Sequence, residues 1–386
     1  MGPFWFYMIR TALTFFIGLF SLVTFASDAP SNSTQTLLKP QWHNQLSAPF
    51  NKAPIIGEQF IYAAPSDGSL NALDQRTGKT VWSLPAESIW DRGVTLHDDI
   101  LVVCYRDASV AGLDSNTGRA KWKTPLGDLN CQRDSVAVGD DLYVSTTYVG
   151  PGLRGSPLTG AKLFKLDRHT GEIQWSLTTD TFLLQTASVD GDQLFVGGSF
   201  IDPSFTEEEG GPAYYYLADT QTGKIRWRAY SEDGLPKTLF LSGGVATYIA
   251  YQDFVQALDV ATGKPLWRRD TENWVSAFLG QDETLYFGSA NTFVHAWNIR
   301  DGAVNWRYNM PGSSFEYLLV APRLVDDSLW FLSQKGQVFS LDSKSGALQY
   351  TAPTGVVSRI EADFKSGKMV VGDLDGKVYL FELPSL

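Results

Sequence analysis

Cysteine, histidine and positive charge are all scarce in this chain of 386 residues. Its two cysteines, Cys104 and Cys131, cannot supply the disulfide framework of a small secreted scaffold. They leave open either one bridge or two buried thiols. The four histidines, His43, His97, His169 and His295, are dispersed and lack the spacing of a metal-ligand set. Lys and Arg number 31 against 42 Asp and Glu, giving a net charge of −11. That excludes nucleic acid as a partner, because phosphate contacts dominate such affinity and require a basic face.

What the chain does have is apolar and turn-forming. It is 44% hydrophobic and 19% charged, with 35 Gly, 23 Phe, 16 Tyr and 12 Trp. This composition fits a large globular core made of strands and tight turns. Arg10 precedes the uncharged run "TALTFFIGLFSLVTFA", which ends at Ala26. The run falls short of the roughly 20 residues that span a bilayer. Thr24 and Ala26 suit the −3 and −1 positions of a signal-peptidase site. The expected layout is a signal peptide over 1–26, a flexible leader over 27–39 and one domain over 40–386. No cysteine lies near the expected cleavage point, so an acylated N-terminus is not expected.

One phrase recurs along that domain. "ALDQRTGKTVW" at 72–82 returns as "GLDSNTGRAKW" at 112–122 and "ALDVATGKPLW" at 257–267. The turn glycines are Gly78, Gly118, Gly171, Gly223, Gly263, Gly302 and Gly346, spaced 40, 53, 52, 40, 39 and 44 residues apart. Four residues after each stands Trp82, Trp122, Trp175, Trp227, Trp267, Trp306 or Tyr350. Four residues before each stands Asp74, Asp114, Asp167, Asp219, Asp259, Asn298 or Asp342. Asp or Asn opens a turn by accepting from downstream backbone N–H groups, and Gly takes the positive φ. Each phrase is therefore a hairpin whose second strand carries a tryptophan in need of an apolar partner.

Small residues two positions before the Asp, such as Ala72, Gly112 and Ala257, are expected to accept an indole from a neighbouring unit. Lys165 and Leu217 break that rule. Two more strand-like runs precede each hairpin, so a unit is four antiparallel strands of about 40 residues, the size of a propeller blade. The last unit, 359–383, lacks a fourth strand, and "KPQWHNQL" with Trp42 is expected to supply it. The fold expected is all-β: an eight-bladed β-propeller of four-stranded antiparallel blades, its ring closed by an N-terminal strand.

The pattern A-x-D-x-x-T-G-x-x-x-W resembles the tryptophan-docking repeat of the quinoprotein-like (PQQ-repeat) eight-bladed propellers, over nearly all of 40–383. That family includes quinone-dependent dehydrogenases and BamB, a propeller of outer-membrane β-barrel assembly. The dehydrogenase branch implies long insertions, an adjacent cysteine pair and a calcium site. This chain has no adjacent cysteines. The assembly branch fits its length and export signal, and implies a non-enzymatic scaffold with a protein partner in the cell envelope. The resemblance thus implies a monomeric periplasmic propeller, peripheral to the outer membrane, with β-barrel assembly components as partners and no cofactor. Pyrroloquinoline quinone with calcium belongs only to the alternative, a dehydrogenase or small-molecule site at the channel mouth.

The docking hairpins join the third and fourth strands, so functional loops are expected on the opposite face, which carries the second-to-third loops and the links between blades. Two long loops emerge there, 148–160 with Arg154 and 200–216 with Phe205, Glu207, Glu208, Glu209 and Tyr214. Arg92 and Lys237 each lie 26 residues before their glycine. Arg133 and Gln185 each lie 38 before theirs, which becomes about 26 once a loop insertion of about a dozen residues is removed. With Trp90, Asp91, Asp134, Trp274, Arg359 and Glu361 these residues are expected to ring the channel mouth and bind a partner segment or an anionic ligand.

Overall fold

The fold is built almost entirely from the recurring meander. The computed structural model describes residues 36–148, 160–199, 212–232, 236–250, 254–275, 277–311 and 322–386. Sheet I comprises Ile55–Ile56, Phe60–Ala63, Leu70–Asp74 and Thr80–Leu84, paired antiparallel in chain order. Sheet II repeats this with Ile89–His97, Ile100–Tyr105, Ser109–Asp114 and Ala120–Pro125. Sheets III, V, VI and VII follow the same order, from Val136–Val138 to Ile173–Thr178, Thr238–Ser242 to Pro265–Asp270, Leu279–Gln281 to Val304–Asn309 and Arg323–Val325 to Leu348–Pro353. In sheet VIII, Asp363–Lys365, Lys368–Gly372 and Lys377–Glu382 are completed by Trp42–Gln45, with Trp42 opposite Leu380. The N-terminal strand thus supplies the missing fourth strand, as its lone tryptophan implies.

The expectation of equal four-stranded blades needs one correction. Among the described residues seven sheets have four strands, but sheet IV has seven. Its meander is Ser188–Asp190, Gln193–Ser199, Ala213–Asp219 and Ile225–Ser231. Three two-residue strands join it: Leu129–Asn130, Thr147–Tyr148 and Leu183–Leu184. They carry hydrogen bonding sideways from the link between sheets II and III, through sheet III's loop, to sheet IV.

First strands of neighbouring sheets touch one another, as in Ser188–Asp190 against Thr238–Ser242 and Ile55–Ile56 against Asp363–Lys365. They form the inner wall. Fourth strands alternate exposed and part-buried residues, as in Thr80–Leu84, and form the outer edge. Apolar clusters lie between consecutive sheets. One joins Val245, Ile249 and Val255 of sheet V to Leu285, Phe287 and Trp297 of sheet VI. Another joins Ile61 and Leu73 of sheet I to Val370 and Val378 of sheet VIII.

The hairpins explain this spacing. Asp74 Oδ1 accepts the N–H and the hydroxyl of Thr77, each at 2.7 Å, and Gly78 N–H donates to the Asp74 carbonyl at 2.8 Å. The Thr77 hydroxyl bond, first among its contacts, holds the Asp74 carboxyl below the usual carboxylate range. Each tryptophan then docks on the next sheet's hairpin. Trp82 Nε1 donates to Ser115 O, Trp122 to Arg168 O, Trp175 to Thr220 O, Trp227 to Val260 O, Trp267 to Ile299 O and Trp306 to Ser343 O, at 2.6–3.2 Å. Trp42 does the same to Gln75 O at 2.7 Å. The indole lies on the glycine itself: a Cβ at Gly118, whose φ is 68°, would sit 2.7 Å from the Trp82 ring.

The small residues before the Asp therefore do not form the neighbour's slot. Ala72 is paired with Trp82 of its own sheet and Gly112 with Trp122. They make room for the ring to lean outward. At Lys165, opposite Trp175, the amine instead reaches Thr220 O at 3.1 Å and Asp141 at 2.7 Å.

Candidate functional site

The repeat is structural, so chemistry has to be sought where sheets differ. The inner wall carries a polar chain across sheets I to III. Asn51 Nδ2 donates to Asp91 Oδ2 at 2.8 Å. Lys52 Nζ donates to Val94 O at 2.7 Å and pairs with the Asp134 carboxylate. Thr95 Oγ1 bonds Ser135 Oγ, and His97 Nε2 lies 3.1 Å from the same hydroxyl. Burial pulls the His97 imidazole below its ordinary value, so it is neutral near pH 7.

Lys52 is a further residue that spacing alone marks. It lies 26 residues before Gly78, the interval that selects Arg92 and Lys237. Lys52 and Lys237 act alike: Lys237 Nζ donates to Val275 O at 2.9 Å, as Lys52 does to Val94 O. Each lysine ties its sheet to the next. Lys237 also lies 4.9 Å from the centre of the Trp274 ring, which is 38% exposed.

The remaining candidates are less uniform than their spacing implies. Trp90, Asp91 and Arg92 lie within the strand Ile89–His97, where its pairing breaks between Ile89 and Val94, and not in a loop before it. Trp90 packs against the core cluster of sheets II and III, with Arg106 5.1 Å above its ring. Arg92 is exposed, whereas Arg133 and Asp134 are half-buried. Gln185 is buried, and its N–H bonds Gly197 O at 2.9 Å. Tyr214 is the second residue of a strand, packed between Tyr216 and Tyr230 under Arg228. Arg359 is exposed, and Glu361 lies 3.7 Å from Arg323. Arg154, Phe205 and Glu207 to Glu209 fall outside the described residues.

The structure thus joins Asp91 and Asp134 to sheet I through Asn51 and Lys52, and joins Lys237 to Trp274. It places Gln185 and Tyr214 in packed structure.

A calcium–quinone centre needs convergent oxygen ligands. Among the described residues no group of three or more His, Cys, Asp or Glu side chains converges in that way. Cys104 and Cys131 are 27 residues apart and form a disulfide with Cα atoms 5.5 Å apart.

A family model described as "Outer membrane protein assembly factor BamB" matches residues 39–149, 106–252, 159–281 and 253–384. The BamB of Burkholderia pseudomallei is 24% identical over 340 residues, covering 75% of this chain and 84% of that protein. The BamB of Legionella pneumophila is 27% identical over 141 residues, and the match spans 36% of that protein's length. A quinohemoprotein alcohol dehydrogenase, ADH-IIG of Pseudomonas putida, is 27% identical over 355 residues, covering 83% of this chain but 42% of the enzyme. Among solved structures, BamB from Moraxella catarrhalis superposes with a TM-score of 0.60 at 19% identity, over 90% of this chain and all of that one. At that identity the likeness speaks for the fold alone. With its propeller matched from residue 39 to 384, the chain belongs to the PQQ-repeat family described as outer membrane protein assembly factor BamB.

Proposed function

We propose that this protein is an exported, non-enzymatic scaffold that works with outer-membrane assembly components from the periplasmic side, after loss of residues 1–26. In this reading its eight sheets close into one ring, it needs no cofactor, and it acts as a monomer attached peripherally to the membrane. The observation that carries the proposal is the span of the family match, which takes in the whole propeller. The dehydrogenase relatives share the propeller but are more than twice its matched length. The working surface in this reading is the inner-wall face around Asp91, Arg92, Arg133, Asp134, Lys237 and Trp274. Rigid ties such as Lys52–Asp134 hold it in place before a partner arrives, and preorganisation lowers the cost of binding.

The test is mild crosslinking of tagged protein in cells, followed by identification of what co-purifies. Recovery of outer-membrane assembly subunits, reduced by charge reversal at Arg92 and Arg133 with the fold intact, supports the reading. Recovery unaffected by those substitutions removes this face, and no specific recovery removes the scaffold role.

A further inference from the structure

Two residues beyond each docking aromatic, the side chain again faces the next sheet. The residues there are Leu84, Thr124, Leu177, Ala229, Arg269, Tyr308 and Ala352. Two of them reach the carbonyl of the next docking glycine: Thr124 Oγ1 bonds Gly171 O at 2.6 Å and Arg269 bonds Gly302 O at 2.9 Å. Asn44, two beyond Trp42, does the same to Gly78 O at 2.7 Å. Alanine can neither donate nor fill the space. Leu38 packs against the cluster that holds Ala352. At Ala229 a groove of about 470 Å³ opens between sheets IV and V.

The groove is lined by Tyr215, Ala229, Tyr230, Glu232, Tyr248 and Gly263, among others. The Tyr215 and Tyr248 rings stack with centroids 3.9 Å apart. Tyr230 is 53% exposed, and the Glu232 carboxylate is exposed beside it. The neighbouring cations are drawn to other partners. Arg228 pairs with Asp180 and lies 4.8 Å from the Tyr214 ring centre, while Arg268 lies 3.6 Å from that of Phe254.

The next junction shows what such a slot accepts. There the Arg269 guanidinium lies 4.8 Å from the Trp297 ring centre while donating to Gly302 O. We propose that the groove between sheets IV and V receives an arginine side chain carried by an extended segment of a protein partner. The guanidinium takes the place that Arg269 fills one junction later, donating to the Gly263 carbonyl and pairing with Glu232, with Leu258 at the position that Trp297 holds there. Arginine suits the slot better than lysine because its planar fork can donate to a carbonyl and a carboxylate at once. The outer strand Ile225–Ser231 offers its edge to an extended chain, and the net charge of −11 favours a cationic one.

The probe is a blocked peptide, acetyl-Thr-Val-Arg-Val-Thr-amide, with lysine and norleucine counterparts. Each is titrated into the purified protein while tyrosine ring resonances are followed. The arginine peptide is expected to bind saturably, and the norleucine peptide about tenfold or more weakly, the loss typical of a charge-assisted hydrogen bond. Glu232→Gln should weaken binding several-fold at low salt and much less at high salt. Ala229→Arg fills the slot from within and should cut binding about tenfold or more, with circular dichroism and melting temperature preserved. If Ala229→Arg does not fold, Ala229→Leu makes the same test. Undiminished binding to the folded variant overturns the proposal. So does equal affinity for the arginine and norleucine peptides, or no saturable binding at millimolar peptide. Charge reversal at Arg92 and Arg133 should leave this binding intact, which separates its failure from failure of the scaffold reading.

Discussion

Trp267 shows what one residue does in this fold. Its ring covers Gly302, its N–H satisfies Ile299 O, and the neighbouring strand makes room at Ala257. Trp267→Ala should cost about 3–5 kcal/mol, as a large-to-small change at a packed site, read by denaturant unfolding. A loss below about 1 kcal/mol would mean the ring contributes little beyond exposed surface. Trp90, which its sequence position assigns to a loop, packs into a core cluster, so its replacement is expected to be costly too.

His295 makes a second residue-scale prediction. It is buried, stacked on Phe287 with centroids 5.0 Å apart, and its Nδ1 has no hydrogen-bond partner among the described residues. Burial, with Arg307 and Arg269 nearby, pushes it down to about 3 from 6.5. The unfolded chain therefore takes up the proton first as pH falls. Stability from this group is full above about 6.5 and declines below that, by at most about 1.4 kcal/mol per pH unit, until the pH nears about 3. His97 shifts in the same direction. His295→Phe should flatten the fall between pH 6.5 and 4.5 in denaturant titrations. An unchanged slope would assign it to other groups. The docking Asp, Gly and Trp were legible in the sequence because each does one local job. The slot for the indole was not, because it depends on which sheet leans on which.

At the scale of elements, regular meanders were legible and the departures from them were not. Alternation and turn chemistry specify four strands per unit, but two-residue strands such as Leu129–Asn130 carry no periodic signal. They exist because loops from sheets II, III and IV happen to run side by side. The disulfide sits at this place, tying the second strand of sheet II at Cys104 to Cys131, just after Leu129–Asn130. Two cysteines in a sequence do not reveal their separation in space, so the sequence left the pairing open. Bridging residues 27 apart should stabilise the fold by about 3–4 kcal/mol, mainly by restricting the unfolded chain. Cys104→Ala with Cys131→Ala should remove that amount, and reductant should destabilise only the parent. Equal stability of the double variant and the oxidised parent would show that the ladder holds without the bridge.

At the scale of the whole propeller, one sheet differs from the rest because its fourth strand comes from the other end of the sequence. Trp42–Gln45 is held by four paired residues of Lys377–Glu382, by Trp42 on Gly78 and by Asn44 on Gly78 O. A fourth strand elsewhere, such as Ile173–Thr178, is also tethered by its own hairpin. The docking contact is the same in the two places, so Trp42→Ala and Trp175→Ala remove similar apolar contact. The tether makes the outcomes differ. Without Trp42 the strand can leave as a unit, which exposes the edge of Lys377–Glu382 while the other sheets stay folded. Native-state hydrogen exchange should then show protection lost first in Lys377–Glu382 and in the hairpin around Gly78, at a free energy well below global unfolding. Trp175→Ala should lower global stability with no such separate opening. If Trp42→Ala unfolds as cooperatively as Trp175→Ala, the N-terminal strand is held as firmly as a covalent neighbour, and the seam between the two ends of the chain is not the propeller's weakest point.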